Sequence, residues 1–162
     1  MSTRSNEGFT VIELIVVIAI LGILAAVAMP KFASLESEAR GASLDGVRGS
    51  FTAAVQIAHS KWLADGTGGA VTNLALVGDT VAVNSDGWPT IDTDQADQDS
   101  ASELYGILMS RPLHDGWSSS ESAANEAGVA DYTLGGAGGG SFCYDGSDGT
   151  VVAGAIAAGA CP

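Results

Sequence analysis

Past Lys61 the chain has almost no positive charge. Arg111 is the single basic residue there, against fourteen acidic ones, whereas Met1 to Lys61 holds five of each sign. The net charge of −13 therefore belongs to the C-terminal part. Such a surface repels phosphate backbones, so direct nucleic-acid binding is not expected, and it favours solubility and divalent cations. Histidine is scarce as well. His59 and His114 are the only two, and no nucleophile-elbow sequence accompanies them, so a Ser-His-Asp hydrolase is not expected. The chain has two cysteines, Cys143 and Cys161. They are too few for a Cys/His zinc site, and a disulfide is the better reading. A disulfide requires an oxidising compartment, which places the C-terminal domain outside the cytoplasm.

Glycine is abundant, but its densest run, Gly135 to Gly140, lacks the Lys-Ser/Thr of a phosphate-binding loop and reads as a connector. Trp88 and Trp117 read as core anchors in loops rather than as a sugar-contacting surface. Asp145 and Asp148 read as turn residues. Asp92, Asp94, Asp97 and Asp99 alternate through "DTDQADQD". Oxygen ligands at that density suit calcium, although the spacing is not that of an EF-hand. A solvated acidic loop is the preferred reading of this stretch, with calcium as the alternative and no other cofactor expected.

The strongest positive feature is apolar. Of the 21 residues from Phe9 to Met29, only Thr10 and Glu13 are polar. As a helix this stretch would span roughly 31 Å, the thickness of a bilayer core. A cleaved secretory signal fits poorly, because the run is too long and no small-x-small site follows it. After Pro30 the pattern becomes amphipathic: Leu44, Val47, Phe51, Val55, Ala58 and Trp62 recur at spacings of three and four. One helix is expected from about Thr10 to Leu63, ended by Asp65-Gly66. Gly22, Gly41, Gly46 and Gly49 are expected to weaken it locally, or to mark close helix packing. Beyond it, Leu74–Val77 and Thr80–Val83 read as a hairpin around Gly78-Asp79, and 103–109 as a short helix. Strands are expected at 132–134, 141–145 and 150–155. The fold class is α+β, a long helix packed on a small antiparallel sheet.

Gly8-Phe9-Thr10-Val11-Ile12-Glu13-Leu14, followed by the apolar span and Pro30, resembles the processing site of type IV prepilins. The resemblance implies the type IV pilin fold. It also implies a leader, residues 1–8, cut after Gly8 by a prepilin peptidase that methylates the new amine of Phe9. Glu13 stands where that family has its assembly carboxylate, and Pro30 where its helices commonly kink. Glu7 beside the cut, and Arg4 as the one basic leader residue, depart from the usual leader. Residues 9–30 would form the membrane and filament-core helix, 31–63 the amphipathic helix, and 64–162 an acidic β-rich domain with a C-terminal disulfide loop. Within the family, Lys31-Phe32, Gly87-Trp88-Pro89 and the Cys143–Cys161 pair are most similar to major pilins of the mannose-sensitive haemagglutinin type.

A carboxylate near a helix N-terminus gains from the macrodipole and sits close to the headgroups, so a lone subunit in the membrane tolerates Glu13. Packed among other helices it would need a partner, and the Phe9 amine of a neighbouring subunit supplies one. The expected protein is a structural subunit, not an enzyme. Its partners would be the bilayer before assembly, the prepilin peptidase, the inner-membrane assembly machinery, and copies of itself in a helical homopolymer. It would pass from a single-span inner-membrane precursor to an extracellular pilus. A periplasmic pseudopilus of a type II secretion system is the alternative, and a membrane-anchored periplasmic binding or hydrolytic domain a third reading.

Overall fold

A computed structural model of the chain describes residues 9–66, 68–76, 78–91, 100–122, 128–135, 139–157 and 161–162. The chain divides into two compact units, Met1–Glu38 and Ala39–Pro162. Helix α1, Val11–Asp65, runs through both.

In the first unit α1 starts where Thr10 caps it. The Thr10 backbone N–H and hydroxyl both donate to Glu13 Oε2, at 2.8 and 2.7 Å, and the Glu13 N–H donates back to Thr10 Oγ1 at 3.3 Å. This is a capping box, in which two otherwise unpaired donors at the helix start are satisfied reciprocally. From Val11 to Met29 the helix is apolar on every side. Ile12, Leu14, Ile18, Leu21, Ile23 and Leu24 are all more than half exposed, so the described residues of this unit form no core. Pro30 lies inside the helix and supplies no N–H to the preceding turn.

In the second unit the same helix acquires a buried stripe. Phe51, Val55 and Ala58 are completely enclosed. Phe51 is the hub of an aromatic cluster, its ring centroid 5.2 to 6.1 Å from those of Tyr105, Tyr132, Phe142 and Tyr144. At such separations tilted and edge-on rings contribute beyond their buried area. The helical glycines neither break α1 nor receive a close neighbour within the chain: a Cβ at Gly22, Gly41, Gly46 or Gly49 would meet nothing within 4 Å.

The elements after α1 are β1 (Val71–Ala75), β2 (Thr80–Val83), α2 (Ser100–Met109), β3 (Trp117–Ser122), β4 (Val129–Leu134), β5 (Ser141–Asp145) and β6 (Thr150–Ala153). They form two antiparallel sheets rather than one: the β1–β2 hairpin, and a four-stranded meander ordered β3-β4-β5-β6. Strand β1 begins three residues earlier than its apolar residues suggest, and its register slips between Val71 and Leu74. Strand β3 is unexpected from its composition, "WSSSES". All six of its residues nevertheless pair with β4, and a polar edge strand of this kind resists pairing with other chains. Its Glu121 accepts a hydrogen bond from Ala101 N–H at 3.2 Å, placing a negative charge at the start of α2.

Side chains alternate across the meander. Ala130, Tyr132, Phe142 and Tyr144 join the core around Phe51, whereas Val129, Asp131 and Cys143 are buried on the opposite face. Cys143 is joined to Cys161 by the expected disulfide, which ties the last residues to that second face, and Pro162 packs at Gly154. The two buried phenols on the core side are satisfied. Tyr132 donates to Ala101 O at 2.7 Å and Tyr144 to Pro89 O at 2.6 Å. Burial pushes the Tyr144 hydroxyl far up, helped by Asp145 and Asp148, so it remains a donor at any physiological pH.

Asp131 is the costly residue of the second face. Burial pushes its carboxyl above the ordinary aspartate range, opposed by a 3.1 Å hydrogen bond donated by the Thr133 hydroxyl. A carboxyl with a raised folded-state pKa holds its proton after the unfolded chain has lost it. Stability therefore falls as pH rises from the unfolded pKa through the folded one, and stays lower above both. Asp131→Asn should accordingly raise the melting temperature near neutral pH and leave it almost unchanged at about pH 3. Thermal unfolding followed at both pH values checks this.

Candidate assembly site

Phe9 and Glu13 lie on either side of the Thr10 cap. Phe9 is 88 % exposed, with the first turn of α1 directly after it. Gly8 lies outside the described residues. Both Thr10 bonds fall on Oε2 of Glu13, and a carboxylate offers about four acceptor sites. The capped carboxylate thus keeps the capacity to receive a cation. Sequence reading assigned Glu13 a partner in a neighbouring subunit and missed its local one. The Thr-x-x-Glu pattern before an apolar run is the signal that would have found it.

The remaining sites of interest lie in the second unit. His59 packs against the Gly87 loop. Its ring stacks on Trp88 with centroids 3.9 Å apart and planes 10° apart, and its Nδ1 is 3.2 Å from Gly87 O. Trp88 and Trp117 are half-buried packing residues, the latter edge-on to Phe142. Asn84 acts as a clasp. Its Oδ1 accepts from the N–H groups of Asp86 and Trp88, and its Nδ2 donates to Gly146 O and Ser147 O. One amide therefore shapes the Gly87 loop and fixes it to the β5–β6 turn. In that turn Asp145 and Asp148 accept from Ser147 and Thr150, as expected of turn residues.

Asp92, Asp94, Asp97 and Asp99 lie outside the described residues. Among the described residues, no three His, Cys, Asp or Glu side chains gather in a way that would hold a metal ion. An apolar hollow of about 530 Å³ is lined by Ala54, Ile57, Leu76, Ile107 and Leu108, with Lys61 at its wall. A second, of about 510 Å³, is lined by Asp79, Glu103 and Arg111 among others. Neither brings a histidine or cysteine to its wall.

Comparison with known proteins bears on the first unit most directly. The family model described as the prokaryotic N-terminal methylation motif matches residues 3–29. The chain is 44 % identical over 52 residues to the type IV narrow pilus major component PilA5 of Thermus thermophilus, covering 32 % of this chain and 45 % of that one. It is 34 % identical over 101 residues to the type IV major pilin protein PilE1 of Neisseria gonorrhoeae, covering 62 % and 47 %. A fimbrial protein of Neisseria meningitidis is 36 % identical over 88 residues, 54 % of this chain and 38 % of the relative. The chain thus spans less than half the length of these curated relatives. No solved structure matches it significantly. The chain carries the prokaryotic N-terminal methylation motif on an α+β fold, and the proteins it resembles are type IV pilins.

Proposed function

We propose that this chain is the structural subunit of a type IV pilus. A prepilin peptidase cuts between Gly8 and Phe9 and methylates the Phe9 amine. The apolar first unit holds the subunit in the inner membrane until the assembly machinery transfers it to the filament. There its helix packs against those of neighbouring copies, with a bend at Pro30, and the acidic second unit faces outward for adhesion or motility. The observation that carries this reading is the state of α1 in the first unit. From Val11 to Met29 it has one carboxylate, capped by Thr10, and large apolar side chains exposed on all sides, within a sequence that matches the methylation motif. Such a surface needs lipid or copies of itself, since every apolar Å² moved out of water stabilises by roughly 25 cal/mol. The helix is long and apolar enough to cross a membrane, which supports the holding step.

In the filament the same surface would be buried by like helices, and Glu13 would neutralise the Phe9 amine of a neighbour. That pairing sets the axial offset between subunits. The pseudopilus reading is less favoured, because the relatives named above are pilus proteins. The haemagglutinin-type subclass rests on Lys31-Phe32, Gly87-Trp88-Pro89 and the C-terminal disulfide. Mass spectrometry of filaments sheared from cells tests the proposal. The expected result is a chain beginning at N-methylated Phe9. Finding the chain only in membranes, with residues 1–8 attached, would overturn it.

A further inference from the structure

Among the described residues, Asp131 Oδ1 is the only buried side-chain oxygen or nitrogen without a hydrogen-bond partner. Orphaned acceptors of this kind are rare in native proteins and often mark redox or catalytic roles. Its neighbours supply a chemical reason. Asp131 on β4 lies directly across from Cys143 on β5, with Ser120 and Val152 continuing the same row on β3 and β6. Directly opposed residues in an antiparallel pair project from the same face with Cβ atoms about 5 Å apart. The carboxyl and the sulfur therefore share the face turned away from Phe51. Asp131 is 6 % exposed and Cys143 is fully enclosed. A disulfide sulfur has no proton to give, but a thiol has one. A thiol at Cys143 would offer the unpaired oxygen a donor across the strand pair that a disulfide sulfur cannot.

We propose that Asp131 is the internal base that takes the Cys143 proton when the Cys143–Cys161 disulfide closes. Cys161 is half-buried where Cys143 is sealed, so an external disulfide meets Cys161 first. The Cys161 thiol loses its proton to solvent, and the thiolate attacks. The oxidant's S–S bond breaks, a Cys161–oxidant mixed disulfide forms, and one oxidant sulfur leaves as a thiolate, which takes up a proton from solvent. Cys143 then passes its proton to Asp131, and its thiolate attacks the Cys161 sulfur. The mixed disulfide breaks and the second oxidant sulfur departs as a thiolate, which takes up a proton. Two protein thiols are oxidised and one external disulfide is reduced to two thiols.

In a buried setting this transfer exchanges one enclosed anion for another, so the number of charges on the face does not rise. Burial also holds the Asp131 carboxyl above its ordinary range, bringing its proton affinity nearer that of a thiol. The groups facing it are few. Thr133 donates to its other oxygen. Asp145, two residues along β5, adds a carboxylate on the same side. Strands β3 and β6 contribute Ser120 and Val152, and Glu121 points to the other face, where it bonds Ala101.

The full chain in detergent micelles, reduced with a phosphine and then given glutathione disulfide, tests the assignment. Closure is followed by alkylation and mass spectrometry between about pH 5 and pH 9. In wild type the intramolecular step, read as the conversion of the Cys161 mixed disulfide, should depend only shallowly on pH. Asp131→Asn should slow the intramolecular step by roughly tenfold or more at about pH 6, with a rate that climbs about tenfold per pH unit as the thiol ionises unaided. Thr133→Val, which leaves the base in place, should retain the shallow profile. Equal rates and equal pH profiles of the intramolecular step for wild type and Asp131→Asn would overturn the proposal. So would a wild-type rate unchanged by concentrated urea, because the strand pairing that places Asp131 beside Cys143 would then be irrelevant.

Discussion

Replacing Glu13 with alanine is expected to lower filament yield by roughly tenfold or more while leaving membrane insertion intact. In the proposed membrane-held precursor the carboxylate would stand at the start of α1, near the headgroups, where its removal eases insertion if it does anything. In the proposed filament the same position would be surrounded by apolar helices, and the neighbour's Phe9 amine would be left as an uncompensated charge. Alanine, however, removes two things, because Glu13 also caps its own helix through Thr10. Glutamine separates them. A glutamine at the third helical position completes a capping box as glutamate does, but carries no charge. Charge pairing predicts that Glu13→Gln assembles as poorly as Glu13→Ala. A purely local role predicts that Gln restores filaments. Quantifying sheared filaments beside membrane-fraction subunit for both variants decides the matter, and normal yield from Glu13→Ala would remove the proposed pairing altogether.

What could be read from the sequence follows from the range of the forces involved. Helix α1 was legible because its signals are local: a 21-residue apolar run, then a stripe at spacings of three and four. Strand β5 was legible to the residue, since the short apolar run Phe142-Cys143-Tyr144 is bounded by Gly140 and Gly146. Strand β3 was not, because six residues that include four serines have little strand propensity, and only their pairing with β4 makes them one. The division into two sheets was equally hidden, since it depends on which edges meet rather than on any segment's own pattern. At the candidate site, Phe9 and Glu13 came from a motif, whereas the Thr10 cap was present in that motif and overlooked. Asp131 gave no sequence signal at all. An aspartate between Ala130 and Tyr132 becomes informative only once the opposing strand is known to carry Cys143.

The Gly87 loop shows the same dependence on tertiary contact, and it carries the largest stability effect expected in the second unit. Gly87 has φ of +83°, and a Cβ there would lie 2.2 to 2.4 Å from Trp62 Cε3 and Cδ2. The indole cannot swing aside freely, because its Nε1–H donates to Gly69 O at 2.9 Å. Nor can the loop retreat, since Asn84 holds both its backbone and the β5–β6 turn. Behind it Gly149, at φ of +74°, meets Trp88 in the same way, with a built Cβ 2.1 Å from the ring. Gly87→Ala therefore combines left-handed strain of about 1–2 kcal/mol with overpacking of about 1–3 kcal/mol. A double-mutant cycle apportions the two. In a Trp62→Ala background the overpacking should vanish, leaving Gly87→Ala only the strain, so the two substitutions should be strongly non-additive. Thermal or urea unfolding of the full chain in micelles supplies the four stabilities. Additive losses would mean that Trp62 does not confine the loop and that glycine is required at this position for its backbone alone.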